Sequence, residues 1–184
     1  MKKLSKAKIA ATYANALYAA ALEKNNLETV FADVRKLLPA IEADADFTAY
    51  MADPMRSDRD KKDVLAAVAA KIRLEAETLG CLETVLENRR FAELAQILKA
   101  FEHVYYQKKD IVEVEVDSVK PLSAAQDKKL KANLEKVLGK KIAVTYAVKP
   151  EILGGLRVRF GSDMIDDTLA HKLNRLEIMM KGDR

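Results

Sequence analysis

Along the first hundred residues, apolar side chains return every three or four positions, the spacing of helices that bury one face. Leu27, Val30, Phe31, Val34, Leu37, Leu38 and Ile41 predict a helix over residues 27–42. A short helical piece, 44–51, is stopped by Asp53-Pro54, because proline disfavours helix at the residue before it. Ser57 or Asp58 starts a helix carrying Val64, Leu65, Val68 and Ile72. Leu79, Leu82, Val85 and Leu86 stripe the next, over 74–86, which Asn88 closes. Phe91, Leu94, Ile97, Leu98, Phe101 and Tyr105 stripe the last of the set.

The first helix, 5–24, differs from these. Ser5 is its candidate cap, and alanine, the best helix former, fills much of it. Its apolar residues fall in two stripes, one of Ile9, Tyr13, Ala16, Leu17 and Ala20, the other of Ala7, Ala11, Ala14, Tyr18 and Leu22. A surface helix needs one stripe. Two imply burial on two sides, by the helix's own domain or by a partner. Six helices with short links predict an antiparallel bundle.

At residue 110 the period changes from 3.6 to 2. Val112, Val114 and Val116 alternate with Glu113, Glu115 and Asp117, the signature of a half-buried strand. Ser123 and Gln126 then form a capping box, and the helix behind it carries Leu130, Leu134, Val137 and Leu138 on its inner face. Gly139 stands where a helix ends on glycine. Ile142, Val144, Tyr146 and Val148 predict a second strand, and Ile152 to Phe160 a third, with Gly154 and Gly155 inside it as a bulge or a place of close backbone approach. Gly161-Ser162-Asp163 turns a short hairpin back through Met164-Ile165. A closing helix, capped by Thr168 or Asp167, presents Leu169, Leu173, Leu176 and Met180. The fold class is therefore mainly α: an N-terminal six-helix antiparallel bundle, residues 1–106, followed by a small α/β C-terminal domain, residues 107–184.

Charge changes the picture in one place. The formal net charge is +4; residues 1–105 are balanced, and the excess gathers in a lysine-rich stretch between Lys120 and Lys149. Such a surface suits an acidic partner, or it is simply a solvated helix face beside a lysine-protected strand edge. The single cysteine, Cys81, excludes an intramolecular disulfide and fits a reducing compartment. No run of 18 apolar residues is present to cross a membrane. The opening MKKLSKAK, followed by an alanine-rich run, mimics a signal peptide, but Thr12, Tyr13 and Asn15 interrupt the apolar core. It reads as a helix of a cytosolic protein.

Candidate chemistry is sparse. Cys81 lies among apolar helix residues, and neither His103 nor His171 has metal-ligand spacing to it or to the other. Asp58, Asp60 and Asp63 sit in a first helical turn, where the helix dipole accounts for them. Asp163, Asp166 and Asp167 could hold a metal in principle, but an EF-hand starting at Asp163 would need a glutamate where Asn174 stands. The sequence ILGGL lacks the ends of both a P-loop and a dinucleotide turn. No catalytic residue, cofactor site or metal site is expected. A basic nucleic-acid-binding domain with a helical interaction module is the alternative from composition, yet the strands offer only Tyr146 and Phe160 for base stacking.

Several stretches, in order along nearly the whole chain, resemble the delta subunit of F-type ATP synthases, a family related to the mitochondrial oligomycin-sensitivity-conferring subunit. They are ATYANALYAAA, DPMRSDRDKKDVL, LETVLENRRFAELAQILKAF, VEVDSVKPLSAAQ, ILGGLRVRFG and MIDDTLAHKLNRL. Thr168 stands where that family usually has serine, Asp167 where it has a small residue, and Val119 where alanine is common. The resemblance implies a non-catalytic stator or adaptor in a large hetero-oligomeric, proton-translocating complex. It would link the alpha subunits of the catalytic head to the peripheral stalk formed by the b subunits, so that the head resists rotor torque. It would be held peripherally at the cytoplasmic face of a bacterial membrane through the complex, with no nucleic acid bound. The bundle would receive the N-terminal helix of an alpha subunit, with Tyr13, Ala14, Ala16, Leu17, Leu82, Val85 and Leu86 as candidate contacts mixing core and groove roles. The second domain would hold the C-terminal helices of the b subunits, with Gly154, Gly155 and Asp166 as candidate docking or structural residues and the lysine surface facing an acidic stalk end.

Overall fold

The structure, a computed structural model, describes residues 6–181. Ser5, the candidate cap of the first helix, lies outside the described residues. The chain divides into two compact units, 1–105 and 106–184. It is mainly helical, with one small sheet of four strands.

In the first unit, α1 (Lys6–Glu23) ends on Asn25 in the left-handed conformation, with the Asn26 amide donating to the Ala21 carbonyl, a Schellman closure. The remaining helices are α2 (Leu27–Ala43), α3 (Ala45–Ala52), α4 (Asp58–Ile72), α5 (Ala76–Glu87) and α6 (Leu94–Lys108). A single 3-10 turn, Phe91–Glu93, leads into α6, where sequence periodicity alone predicts unbroken helix. Local chemistry sets the boundaries. Asp44 accepts from the Phe47 amide at 2.8 Å to start α3, and Ser57, not Asp58, caps α4 by accepting from the Asp60 amide. Leu74 and Glu75 stay outside α5, because the buried Asp33 carboxylate on α2 takes the Glu75 amide at 2.8 Å and holds it extended. Phe31 and Tyr105 stack at 3.9 Å, and the Tyr105 hydroxyl donates to Glu28 at 2.7 Å.

The core of this unit gathers Val30 and Val34 from α2, Leu65 from α4, Leu82 and Val85 from α5, and Leu94, Ile97, Leu98 and Phe101 from α6. The two predicted stripes of α1 are corrected here. One row is buried, Ala10, Ala14, Leu17 and Ala21, and it takes one member from each predicted stripe plus two residues from between them. Three of the four are alanines, which lets α1 lie close against α5 and α2.

The second unit is built on β1 (Val112–Ser118), α7 (Ala124–Leu138), β2 (Ile142–Val148), β3 (Leu156–Phe160), β4 (Asp163–Asp166) and α8 (Leu169–Lys181). The sheet order is β2-β1-β3-β4. β1 pairs parallel with β2, joined by the α7 crossover, and antiparallel with β3. The Ser123–Gln126 capping box and a left-handed Gly139 bound α7. Val114, Val116, Val158 and Leu134 form the centre of the core between sheet and helix. Val137, predicted inside, is exposed, because Leu134 alone takes the central position under the sheet.

The third strand is shorter than its alternation suggests. Pro150–Ile152 forms a 3-10 turn that buries Ile152, and Leu153 leaves it exposed at φ 60. Gly154 and Gly155 therefore lie in the bend before β3, not inside a strand. Gly161 and Ser162 make the two-residue hairpin loop between Phe160 and Asp163, with Gly161 at φ 57.

Candidate partner-binding surfaces

In the first unit, α1 and α5 pack side by side. Ala14, Leu17, Leu82, Val85 and Leu86 are buried within the unit, with Ala14 at 0% exposure, so they form the floor and not the outer surface. Tyr13 is half-buried, with the Arg90 guanidinium 6.0 Å from its ring centre, and Ala16 is exposed. The outer face of these helices is chemically quiet. Thr12 and Asn15 turn their donors back onto the Lys8 and Ala11 carbonyls, at 2.9 and 2.7 Å. On α5, Thr84 donates to the Gly80 carbonyl at 2.7 Å and Asn88 to the Thr84 carbonyl at 2.8 Å. Each of these bonds pairs one side-chain donor with its own helix, which lowers the desolvation cost of covering it with a second helix.

Gly80 is not singled out by periodicity, because a glycine inside a helix carries no hydrophobic signal. A Cβ there would meet nothing within 4 Å. The backbone of α5 is thus open at this point to close approach from outside.

In the second unit, Gly154, Gly155 and Asp166 all serve the junction between β3 and α8. The Asp167 amide donates to the Leu156 carbonyl at 3.0 Å, and the Leu169 amide to the Gly154 carbonyl at 2.9 Å. This antiparallel extension brings backbone against backbone, and Gly155, at φ +82, has no side chain to obstruct it. Thr168, not Asp167, caps α8: its hydroxyl accepts from the His171 amide at 3.2 Å and is fully buried. That hydroxyl donates to Asp166 at 2.6 Å, and the Thr168 amide donates to the same carboxylate oxygen at 3.0 Å. Arg157 donates to the other oxygen at 2.9 Å. The Thr168 hydroxyl, the Thr168 amide and Arg157 together outweigh burial and hold the Asp166 carboxyl at about 2.

A second buried acid lies on the sheet. Asp117 on β1 accepts from Lys149 at 2.9 Å and from Arg159 at 3.1 Å. Burial pushes its carboxyl upward, but Lys149 and Arg159 more than offset this and leave it below the usual carboxylate range. Alternation alone places Asp117 among the solvent-facing acids. Only the pairing of β1 with β3, and the chain path beyond β2, bring the two cations to it.

α8 is anchored at its start, where the Leu169 amide meets the Gly154 carbonyl. Beyond Thr168, its Leu169, Leu173, Leu176 and Met180 stripe is exposed, Leu173 at 57% and Met180 at 87%, and Met164 and Ile165 on edge strand β4 are exposed as well. Tyr146, one of the two candidate stacking rings, is tied instead to Asp127, to which its hydroxyl donates, with Lys131 also bonded to that carboxylate at 2.9 Å. Burial pushes the Cys81 thiol up to about 11, so it is no thiolate near neutrality. Among the described residues no His, Cys, Asp and Glu group is arranged to hold a metal, and no helix is long and apolar enough to cross a membrane.

Comparison with known proteins follows the same lines. The family model described as ATP synthase delta (OSCP) subunit matches residues 9–180. Proteins named ATP synthase subunit delta are similar over nearly their full length. That of Rhizorhabdus wittichii is 34% identical, covering 96% of both chains. That of Mesorhizobium japonicum is 34% identical, covering 94% of this chain and 93% of the relative. That of Rhodobacter capsulatus is 35% identical, covering 95% and 94%. Among solved structures, a chain of the Toxoplasma gondii mitochondrial ATP synthase hexamer superposes with a TM-score of 0.72 at 28% identity, covering 95% of this chain and 98% of that one.

Proposed function

The chain belongs to the ATP synthase delta (OSCP) subunit family, and on that premise we propose how its two units share the work of a stator. As a non-catalytic structural subunit of an F-type ATP synthase, it needs to bind and to resist torque, not to react. The nucleic-acid reading finds no support among its relatives.

The first unit receives the N-terminal helix of an alpha subunit on the outer face of α1 and α5. The backbone-bonded face and the open Gly80 support this seat, with half-buried Tyr13 and exposed Ala16 as contacts and Ala14, Leu17, Leu82, Val85 and Leu86 as the floor beneath them. The second unit holds the C-terminal helices of the stalk's b subunits. The observation that carries this half is the bare stripe of α8, because a contiguous apolar face of this kind marks an interaction surface. Lysines between Lys120 and Lys149 steer an acidic stalk end toward the unit. Gly154, Gly155 and Asp166 set the start of α8 and act on the stalk only through it. The protein is held at the cytoplasmic face of a bacterial membrane by the assembled complex.

Isothermal calorimetry tests the two halves separately, with a synthetic alpha N-terminal helix and with the C-terminal segment of the b subunit. Each peptide is expected to bind the intact chain at one site. Failure of the alpha peptide to bind, with the b segment bound, would refute the α1–α5 seat alone.

A further inference from the structure

A cavity of about 240 Å³ lies in the first unit, where the end of α3, the start of α4 and the end of α5 meet. Its apolar walls come from Met51, Leu86 and Phe91, all buried. Lys61 on α4 lines it and is only 5% exposed. The adjacent Lys62, out in solvent, pairs with Glu87 at 2.7 Å, whereas Lys61 forms no ion pair among the described residues. Arg89, held at φ 55 just after α5, adds a second cation to the lining, and Asp58 is the one acid among the described residues there. Lys61 is the one buried charge of this largely apolar lining, because Arg89 and Asp58 are both exposed.

Lys61 makes no ion pair among the described residues, and a counter-charge brought into this partly enclosed space is weakly screened. One such cation calls for a monoanion. Apolar walls call for one borne on an aliphatic stem. A volume of this size holds one side chain and a few waters, given about 30 Å³ per water, and is too small for a helix.

We propose that this cavity is a carboxylate socket, which takes an acidic side chain, glutamate or aspartate, projecting from a partner segment. Lys61 binds the carboxylate, Arg89 guides it in, and Met51, Leu86 and Phe91 pack its methylenes. The socket shares Leu86 with the floor of the α1–α5 seat, but its Lys61 and Arg89 take no part in that seat.

The test has two arms. In the first, full-length protein with 13C-methyl methionine is titrated with sodium butyrate, and in parallel with 1-butanol and butylammonium. The Met51 methyl resonance, assigned through Met51→Leu, should move saturably with butyrate and not with the neutral or cationic counterparts. Lys61→Met should raise the butyrate midpoint at least tenfold. Arg89→Asn, which suits a left-handed backbone, should raise it about threefold, and it supplies the reading if Lys61→Met loses the fold. An equal response to butanol, or a midpoint unmoved by either variant, overturns the socket. In the second arm, the assembled complex is treated with a carbodiimide, which joins carboxylate to amine without a spacer. An amide between Lys61 and an acidic residue of another chain supports the assigned occupant, and a link to Asp58 alone overturns it.

Discussion

A Cβ placed on Gly155 would lie 2.3 Å from the carbonyl oxygen of Asp167. The contact is backbone, so no rotamer change can relieve it, and the +82 φ of Gly155 is itself disfavoured for any L side chain. Gly155→Ala should therefore destabilise the second unit by about 1–3 kcal/mol from the backbone conformation alone, with the clash in addition. Urea denaturation monitored on the second unit measures this.

Gly80→Ala should do the opposite. Nothing lies within 4 Å of the added methyl, and alanine in a helix interior gains about 0.5–1 kcal/mol over glycine. If α5 is the seat of a partner helix, the more stable variant binds the alpha peptide more weakly. Thermal unfolding and calorimetry on the same sample separate the two effects.

Acid should weaken the second unit first. The folded carboxyls of Asp166 and Asp117 lie below their unfolded values, so their contribution is complete above the ordinary carboxylate pKa of about 4. It is lost as pH falls, for Asp166 down to about 2. Asp166→Asn should cost about 1.5–3 kcal/mol at neutral pH, the range for hydrogen bonds to a charged group. It should also flatten the stability profile between about pH 4 and 2. Urea midpoints at pH 7, 4 and 3 for both proteins decide it.

Arginine at Ala14 and at Ala16 should behave differently, although the two residues are neighbours on one helix. Ala14 has no exposed surface, so Ala14→Arg forces a charge into the core and should abolish cooperative folding of the first unit. Ala16→Arg should stay within about 0.5 kcal/mol of wild type, as exposed substitutions do. It should still weaken alpha-peptide binding, and circular dichroism with calorimetry reads both outcomes.

On α8, Leu173→Asp with Leu176→Asp should leave the melting temperature unchanged and abolish binding of the C-terminal segment of the b subunit. A lysine-to-glutamine change at Lys128 and Lys129 should mainly reduce the salt dependence, since exposed charges are screened within about 10 Å at 0.1 M salt. Titrations at two ionic strengths distinguish the apolar from the charged contribution.

Element type and order were legible from the chain because period and capping are local. Val112 to Val116 could alternate only as a strand, and Ser123 with Gln126 could only open a helix. Ordered stretches such as LENRRFAEL and MIDDTLAHKL likewise carried the family. What lay outside local reach was every decision that depends on a distant segment. Which row of α1 is buried was set by α5 and α2 packing against it, because its alanines offer nearly equal apolar faces on several sides. Gly154 and Gly155 belong to a bend because the backbone at Asp167 pairs with Leu156, a contact with no periodic trace. Asp117 became a buried hub, Lys61 a buried cation and the α8 stripe a bare one only once strand register and helix packing were in place. A side chain's type and spacing constrain the element it sits in; its surroundings, and so its charge balance and exposure, come from tertiary contacts that neither spacing nor composition encodes.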